Sequence, residues 1–403
     1  MLYFKERQVI AKKLHITSEP PERAFLAAAS LENRDRASPA WNAEDSIAEL
    51  ALLAETAGAQ VVGRTVQRLK RRQPRTYVGA GKVEEIVSQR DALDYNLVIF
   101  DDELSPNQQR NLESALEVKV LDRTALILDI FAQHARSKEG SLQVELAQHQ
   151  YLLPRLRGQW SHLERLEGRI GTRGPGETQL ETDRRLLDRK IQRIKRELEH
   201  VRRQRGLYQR RRKRQGIPVV SLVGYTNSGK STLMHAMSGA QVLIEDKLFA
   251  TLDPLTRKVS LGEDATFLLT DTVGFIQKLP TQLIAAFRAN LEELEQADLL
   301  LHIVDITHKN AVEQTETVER TLEDLGLREK PRLLVLNKLD LVVTREDLLL
   351  EGVGPAQRFA GAQTYAEDDV IMISAQKAWG IPALLRAIEA KLGAASVPAF
   401  ARA

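Results

Sequence analysis

The feature that most constrains this chain is the segment GYTNSGKS, residues 224–231, which follows a strand-forming run and precedes an amphipathic helix. It matches G-x-x-x-x-G-K-[ST], a pattern in which backbone amides surround phosphates, the lysine reaches the β- and γ-phosphates and the last hydroxyl binds Mg²⁺. We therefore predict a phosphate-binding loop with Lys230 on the phosphates and Ser231 as a Mg²⁺ ligand. The loop comprises Gly224, Tyr225, Thr226, Asn227, Ser228, Gly229, Lys230, Ser231 and Thr232.

A second motif, DTVG, begins forty residues after Ser231 and ends an apolar strand. Its aspartate, Asp271, can hold Mg²⁺ through a water molecule, and the backbone amide of Gly274 can contact a γ-phosphate. In a chain without a phosphate loop, the simpler interpretation would be a turn that begins with aspartate. Here the whole segment is predicted to border the phosphates, with Asp271, Thr272, Val273 and Gly274 as its members.

A third motif, NKLD, follows the strand LLVLN and indicates which base is bound. The Asp340 carboxylate can accept hydrogen bonds from guanine N1 and N2, a pair of donors that adenine lacks. Asn337 is expected to contact N7 and support the loop, and a backbone amide after the strand VIMI is expected to contact O6. The predicted ligands are GTP and GDP, and the base-binding residues are Asn337, Lys338, Leu339, Asp340, Ser374, Ala375 and Gln376.

The chain is predicted to be α/β, with three parts. Residues 1–136 alternate apolar runs with amphipathic segments, as in a small α/β domain with a parallel sheet. Residues 137–216 form a basic helical hairpin, and residues 217–403 a doubly wound phosphate-loop domain. In the first part, Ser105, Pro106 and Gln108 mark a helix start. The segment YVGAGK predicts a tight turn that opens a helix, with a nucleotide contact at Lys82 as the alternative.

The middle part has apolar residues spaced alternately three and four apart, in two series that include Leu142–Leu163 and Leu187–Val201. This spacing predicts two coiled-coil seams and hence an antiparallel hairpin. We expect Pro154 and Gly158 to bend or interrupt the first helix, because proline removes a backbone donor. The second helix is expected to start at a capping box. That box is formed by Thr178 and Glu181.

Positive charge is concentrated in the same hairpin. Residues 155–214 hold 20 Lys and Arg against 8 Asp and Glu, a net charge of +12 in a chain whose total is only +3. Such density suits neutralisation of nucleic-acid phosphates, and a solvated helix face or linker is the alternative. The candidate RNA contacts lie in the glycine-rich tip and at the hairpin base. They are Arg169, Arg173 and Glu177, and Arg210, Arg211, Arg212, Lys213 and Arg214.

Composition favours an intracellular protein. The chain has no cysteine, and no apolar run approaches the roughly 20 residues that span a bilayer. We therefore expect no membrane span and a cytoplasmic location. The eight histidines show no metal-ligand spacing.

GYTNSGKS, FATLDPLTR, DTVGFIQKLP and NKLD, preceded by an α/β domain and the GTRGPGETQLETDRR hairpin, closely resemble the HflX family of ribosome-associated GTPases over nearly the whole chain. The RGPGE tip and the ATLDP segment are the more specific signals. The resemblance implies a switch I in which Thr251 is the second protein ligand of Mg²⁺. That switch consists of Phe249, Ala250, Thr251, Leu252 and Asp253; the family usually has a second threonine where this chain has Leu255.

The resemblance also implies an activity: GTP hydrolysis in which Lys230, Thr251 and Gly274 are catalytic. It further implies that the hairpin tip contacts ribosomal RNA of the large subunit, and that stalled ribosomes are split in a GTP-dependent way, by a monomer. A regulatory GTPase acting on transfer RNA or free ribosomal RNA would share every motif and differ only in its activating ligand. A membrane-remodelling GTPase is disfavoured by the Arg-rich hairpin and the lack of a lipidation motif.

The residue after DTVG is Phe275, where many GTPases have a glutamine that orients the attacking water. Phenylalanine cannot do so, which predicts slow hydrolysis until a partner or a monovalent cation completes the site. In similar GTPases an asparagine at the position of Asn227 helps to hold K⁺. The alternative is that its amide only stabilises the loop.

Overall fold

The computed structural model describes residues 21–31, 42–159, 175–214, 216–239, 248–261, 265–279, 293–342, 359 and 365–396. Two β-sheets and a long helical hairpin make up these ranges. No helix within them is both long enough and apolar enough to cross a membrane.

The N-terminal sheet contains four parallel strands, as the sequence predicted, and their order is β2-β1-β3-β4. Its central strand β1 is buried almost throughout, because helices cover both faces of a parallel sheet. The strands are β1 (Arg23–Leu31), β2 (Gln60–Leu69), β3 (Leu97–Phe100) and β4 (Lys119–Asp122). The helices are α1 (Ala43–Thr56), α2 (Ala80–Ser88), α3 (Arg90–Leu93), α4 (Pro106–Leu116) and α5 (Arg123–His134).

Two local predictions in this domain are confirmed. Helix α4 begins with a capping box in which Gln108 N donates to Ser105 Oγ (3.3 Å) and Ser105 N donates to the Gln108 side chain (2.9 Å). The YVGAGK segment turns at Tyr77, whose φ is 65°, and enters α2 at Ala80. The Lys82 ammonium there donates to the protein's own Thr65 and Glu85.

The hairpin consists of α6 (Lys138–Gln159) and α7 (Pro175–Arg214). The helices are antiparallel, because Lys190 pairs with Glu145 (2.7 Å) while the later Arg205 pairs with the earlier Glu139 (3.1 Å). Their seam contains six of the predicted apolar residues. These are Leu142, Leu146, Leu153, Ile191, Ile194 and Leu198.

Two predictions about the hairpin are wrong in detail. Helix α6 continues through Pro154 to residue 159, so the proline does not interrupt it. The neighbouring Arg155 holds this part of the helix by donating to Leu104 O (2.7 Å) and Asp122 (3.1 Å). Helix α7 begins at Pro175, a residue suited to a first turn, so Thr178 and Glu181 lie inside the helix rather than at its cap.

Helix α6 is also buried on a second face, which the sequence did not predict. Val144, Ala147 and Tyr151 lie in the hydrophobic core that contains strand β1 and helices α1 and α5. The first half of the hairpin is therefore packed on the N-terminal domain.

The C-terminal sheet has six strands in the order β10-β9-β8-β5-β7-β6, all parallel except the antiparallel pair β6-β7. This places the carboxyl ends of β5, β7, β9 and β10 along one edge, where ligands bind in such sheets. The strands are β5 (Val219–Gly224), β6 (Leu255–Leu261), β7 (Ala265–Asp271), β8 (Leu299–Asp305), β9 (Arg332–Asn337) and β10 (Val370–Met372). The helices are α8 (Lys230–Ser238), α9 (Ala311–Asp324) and α10 (Ile381–Ser396), with 3-10 turns at Leu339–Leu341 and Glu367–Asp369.

Candidate nucleotide-binding site

The phosphate loop connects β5 to α8 through two glycines that no other residue could replace without strain. Gly224 and Gly229 have φ values of 152° and 94°. A Cβ on Gly224 would overlap the Ile303 carbonyl, and one on Gly229 would overlap the Asn337 amide. The backbone can therefore curve closely around a ligand, as phosphate binding by main-chain amides requires.

Lys230 begins helix α8 and is buried, with 6% of its surface exposed. Its ammonium donates to the carbonyls of Gly224 (3.1 Å) and Tyr225 (2.7 Å) across the loop. Burial lowers the pKa of Lys230 to about 8, although Asp271 acts in the opposite direction. A polyphosphate would favour the charged form, so ligand binding and protonation of this lysine support each other.

Three oxygen-bearing side chains meet beside the loop. Ser231 Oγ donates to Asp271 Oδ2 (2.8 Å), Thr251 Oγ1 also donates to Asp271 Oδ2 (3.0 Å), and the two hydroxyls lie 2.9 Å apart. The other carboxylate oxygen, Oδ1, is buried and has no hydrogen-bond partner among the residues that the structure describes. Burial raises the pKa of Asp271, with Lys230 opposing it. Hard oxygen donors and an unsatisfied carboxylate oxygen fit a magnesium ion.

The DTVG segment is joined to the loop by main-chain hydrogen bonds. The amide of Phe275 donates to Gly224 O (3.0 Å), and the amide of Thr226 donates to Phe275 O (2.8 Å). Gly274 lies so close to Thr226 and Lys230 that a Cβ there would be about 3 Å from both. The Thr272 hydroxyl donates to Leu222 O (2.6 Å). The Phe275 ring is buried in the core.

The predicted base-binding residues lie together at the ends of β9 and β10. Asn337 Nδ2 donates to Ser228 O (2.9 Å), which ties the base site to the phosphate loop. Ser374 Oγ donates to Asp340 Oδ1 (2.5 Å) and fixes that carboxylate. The Ala375 amide donates to Asn337 Oδ1 (3.0 Å), so it is engaged within the protein, and the exposed Gln376 follows it.

Two other predicted base-binding residues, Lys338 and Leu339, support the NKLD loop. Lys338 adopts a left-handed backbone conformation (φ 66°) and pairs with Asp305 (2.7 Å), while Leu339 is buried.

Switch I, residues 249–253, lies beside the phosphate loop. Thr251 and Ala250 border the groove, and Phe249 and Leu252 are buried. Asp253 was predicted with the nucleotide-binding residues, but its carboxylate is turned towards the start of α6, where it accepts hydrogen bonds from Arg136 and Ser137. The described residues that line the groove are Thr226, Asn227, Gly229, Lys230, Ser231, Thr232, Phe249, Ala250, Thr251, Thr272 and Gly274.

The N-terminal domain contacts this site through residues that sequence reasoning missed. Arg123, with 1% of its surface exposed, pairs with Glu49 and with Asp101 (2.8 Å). Burial alone would lower the pKa of Arg123, but Glu49 and then Asp101 hold it above its ordinary value. Lys278, four residues after Gly274, pairs with Asp101 and with Asp102 (2.9 Å). Nothing in the local sequence marks these residues, because they meet only in the folded chain.

The apolar core is continuous across the same interface. Phe131 of α5 packs edge to face against Phe249, with ring centroids 4.7 Å apart. Tyr225, Phe275 and Ile276 belong to the same buried cluster as the helices of the N-terminal domain.

Of the predicted RNA contacts, Arg169 and Arg173 lie outside the described residues. Residues 177 and 210–214 lie in the helical backbone of α7. Within the described part of α7, several arginines pair with carboxylates of their own helix: Arg184 with Asp188 (3.9 Å), Arg193 with Glu197 (3.5 Å) and Arg203 with Glu199 (3.5 Å).

A second basic surface lies on the N-terminal domain. Residues 57–83 hold seven Lys and Arg and no acidic residue. Five of the seven are exposed and form no ion pair within the described part of the chain. They are Arg64, Arg68, Lys70, Arg71 and Arg75.

Family models match almost all of the chain. "GTP-binding GTPase N-terminal" matches residues 44–132 and "GTP-binding GTPase Middle Region" matches residues 134–213. "50S ribosome-binding GTPase" matches residues 219–338, and "Elongation factor Tu GTP binding domain" matches residues 284–393.

Several proteins that are similar to this chain in sequence share the name GTPase HflX. A GTPase HflX from Caldanaerobacter subterraneus subsp. tengcongensis is 48% identical over 92% of this chain and 81% of its own length. A GTPase HflX from Escherichia coli K12 is 44% identical over 86% and 79%. A crystal structure of a GTP-binding protein from Sulfolobus solfataricus in complex with GDP is 25% identical, covers 93% of this chain and all of that one, and has a TM-score of 0.45. With these identities over most of its length, the chain belongs to the GTPase HflX family and is an enzyme that binds and hydrolyses GTP.

Proposed function

We propose that this protein is a cytoplasmic, monomeric and Mg²⁺-dependent GTPase that binds the large ribosomal subunit and separates stalled ribosomes into subunits. The observation that carries the proposal is the position of switch I. Its Thr251 contacts the phosphate loop, and its Asp253 contacts Ser137, immediately before the first helix of the basic hairpin. A nucleotide-dependent switch thus lies against the candidate RNA-binding arm. The match of residues 219–338 to a family named for 50S ribosome binding supports the choice of partner.

The hydrolytic site follows from the residues around the groove. Lys230 would stabilise negative charge on the β- and γ-phosphates, and the Gly274 amide would donate to the γ-phosphate. Ser231 and Thr251 would hold Mg²⁺, with Asp271 reaching it through water. The bound metal would neutralise phosphate charge in the transition state. Guanine would be recognised by Asp340, which Ser374 orients.

One residue of the site should limit the rate of GTP hydrolysis. Phe275 is buried and apolar at the position where many GTPases orient the attacking water. Intrinsic turnover would be slow, and the ribosomal subunit would complete the site. Asn227 is exposed at the loop and would help to hold K⁺ there.

Contact with RNA would depend on the arginines of the hairpin. The candidates are the tip residues Arg169 and Arg173 and the basic run at residues 210–214, which would neutralise RNA phosphates. The exposed basic residues between Arg64 and Arg75 would add a second phosphate-binding surface.

The test is GTP turnover in K⁺ buffer, titrated separately with large subunits, small subunits and bulk transfer RNA. Saturable stimulation by large subunits alone is expected. A flat response to all three ligands would contradict the proposal, and stimulation by transfer RNA would favour the regulatory RNA-binding alternative.

Replacing Arg169 and Arg173 together with alanine should abolish the stimulation and leave GDP affinity unchanged. Sedimentation of whole ribosomes with the protein and GTP would then measure splitting.

A further inference from the structure

We propose that helix α6 positions switch I for GTP hydrolysis by holding the carboxylate of Asp253, which makes Asp253, Ser137 and Gly140 positioning residues for this reaction. The hydrolysis site would then include the start of the hairpin as well as the phosphate-loop domain.

The first argument is the geometry around Asp253. Its Oδ2 accepts hydrogen bonds from the backbone amides of Arg136 (2.8 Å) and Ser137 (2.6 Å), and its Oδ1 accepts one from the Ser137 hydroxyl. The same hydroxyl accepts from the Gly140 amide (2.9 Å). Amides at the start of a helix lack partners within the helix, and a carboxylate is favoured there by hydrogen bonding and by the helix dipole. Ser137 is therefore the N-cap of α6, and Asp253 holds Ser137 and Arg136 immediately before the helix.

The second argument is the space at Gly140. This glycine lies in the first turn of α6 and is buried. A Cβ built on it would overlap the Asp253 carboxylate, so the contact requires glycine. Glycine inside a helix is less favourable than alanine, and a close contact is the usual reason for accepting it.

The third argument is that switch I has another anchor on the adjacent helix. Phe249 packs edge to face on Phe131, near the end of α5. Thr251 lies between Phe249 and Asp253, so the expected Mg²⁺ ligand is flanked by two residues that are fixed on α5 and α6. Its hydroxyl reaches both Ser231 and Asp271 in this arrangement.

Anchoring of switch I should affect the rate of GTP hydrolysis more than the affinity for GDP. A loop that is already fixed does not lose conformational entropy when its threonine must meet the γ-phosphate and metal in the transition state. GDP has no γ-phosphate, and its expected contacts on the phosphate loop and the NKLD segment do not include α6. Loss of the anchor should therefore lower kcat while leaving GDP affinity nearly unchanged.

The contact between the start of α6 and switch I should also couple ligand binding at the hairpin to the nucleotide site. Because α6 is the first helix of the hairpin, a ligand that fixes the hairpin would change the equilibrium between the anchored and released conformations of switch I. By linkage, GTP would change the affinity of the hairpin for that ligand by the same factor. This second part rests on the proposed ribosomal function, whereas the positioning of switch I does not.

The experiment is Gly140→Ala, with Gly206→Ala of α7 as the matched control because a Cβ there meets no atom within 4 Å. We expect Gly140→Ala to lower intrinsic kcat without ribosomes by about tenfold or more, with GDP affinity within about twofold of the parent protein. Gly206→Ala should match the parent. Fluorescent GDP titration and single-turnover hydrolysis measure the two quantities, and Asp253→Asn, which keeps the shape but loses charge, provides a second variant if Gly140→Ala does not fold.

A double-mutant cycle tests whether the two residues act as a pair. In an Asp253→Ala protein, the added Cβ at residue 140 meets no carboxylate, so Gly140→Ala should then have little further effect. Unchanged kcat in Gly140→Ala and Asp253→Asn, or fully additive losses in the cycle, would overturn the proposal. A parallel loss of GDP affinity would also overturn it, because it would indicate general damage to the domain. None of these results depends on ribosome binding.

Discussion

The hydroxyl of Tyr225, the second residue of the phosphate loop, donates a hydrogen bond to Glu49, which stands 176 residues earlier in α1. The same oxygen accepts from the Gln277 amide (2.9 Å), beyond the DTVG segment. Burial, and then the charge of Glu49, raise the pKa of Tyr225 well above its ordinary value, so the hydroxyl keeps its proton and remains a donor. Tyr225 therefore connects the N-terminal domain to the phosphate loop and to the residues that follow the DTVG segment.

Replacing Tyr225 with phenylalanine should destabilise the interface. Glu49 would lose a buried hydrogen bond, which typically costs about 1–3 kcal/mol, while its pairing with Arg123 would remain. We expect a lower urea midpoint and a changed rate of GTP hydrolysis, because the Gln277 amide loses its acceptor. Tyr95→Phe is the control, since Tyr95 donates to Ile86 O within the N-terminal domain. Equal effects of both variants on hydrolysis would count against this role of Tyr225.

Replacing Asp340 with asparagine should change base selectivity. In the proposed site the carboxylate would accept from two donors on guanine, and the amide of asparagine would instead present a donor to one of them. We expect GTP affinity to fall at least about a hundredfold and xanthosine triphosphate, which has an acceptor at that position, to bind better. Competition of both nucleotides against fluorescent GDP measures the change. Retained preference for GTP would show that other groups read the base.

Potassium should accelerate hydrolysis relative to sodium at equal ionic strength. The buried Phe275 leaves no side chain at its position to orient water, and Asn227 lies exposed at the loop. Asn227→Ala should remove the difference between the two cations without preventing GDP binding. If turnover is the same in both salts, Asn227 has only a structural role in the loop.

Removal of Mg²⁺ should suppress hydrolysis and spare part of the affinity for GDP. Ser231 and Thr251 are the expected protein ligands, and Asp271 is next to them with an unsatisfied oxygen. We expect chelation to lower turnover at least about a hundredfold, since the metal stabilises phosphate charge in the transition state. Titrating Mg²⁺ back should restore the rate, and Thr251→Ala should require more metal for GTP turnover than the parent. Full activity in excess chelator would contradict a metal-dependent mechanism.

The sequence was sufficient for the parts whose chemistry is local. Strand and helix signals predicted both sheets, and the Ser105 capping box was correct because its residues lie in one turn of chain. The phosphate loop, Asp271 and Asn337 all fall at carboxyl ends of parallel strands, so their convergence followed from the predicted topology.

The sequence was insufficient for features that depend on contacts between segments far apart in the chain. The Thr178 box has the right spacing, yet α7 starts at Pro175. Asp253 is in the predicted switch, but only the fold shows that its carboxylate contacts Ser137, immediately before α6. Arg123 and Glu49 have no motif at all, because a buried ion pair is defined by burial and partner rather than by spacing.

The two covered faces of α6 affect how this protein can be shortened. Val144, Ala147 and Tyr151 close one side of the N-terminal core, and Arg155 is bonded to Leu104 and Asp122. Deleting the arm from residue 137 onwards would leave that core open to water, with a risk of aggregation. Trimming the arm beyond residue 155 would leave those contacts in place. Insertions and deletions among related chains should therefore accumulate in the outer arm and be scarce in the first half of α6.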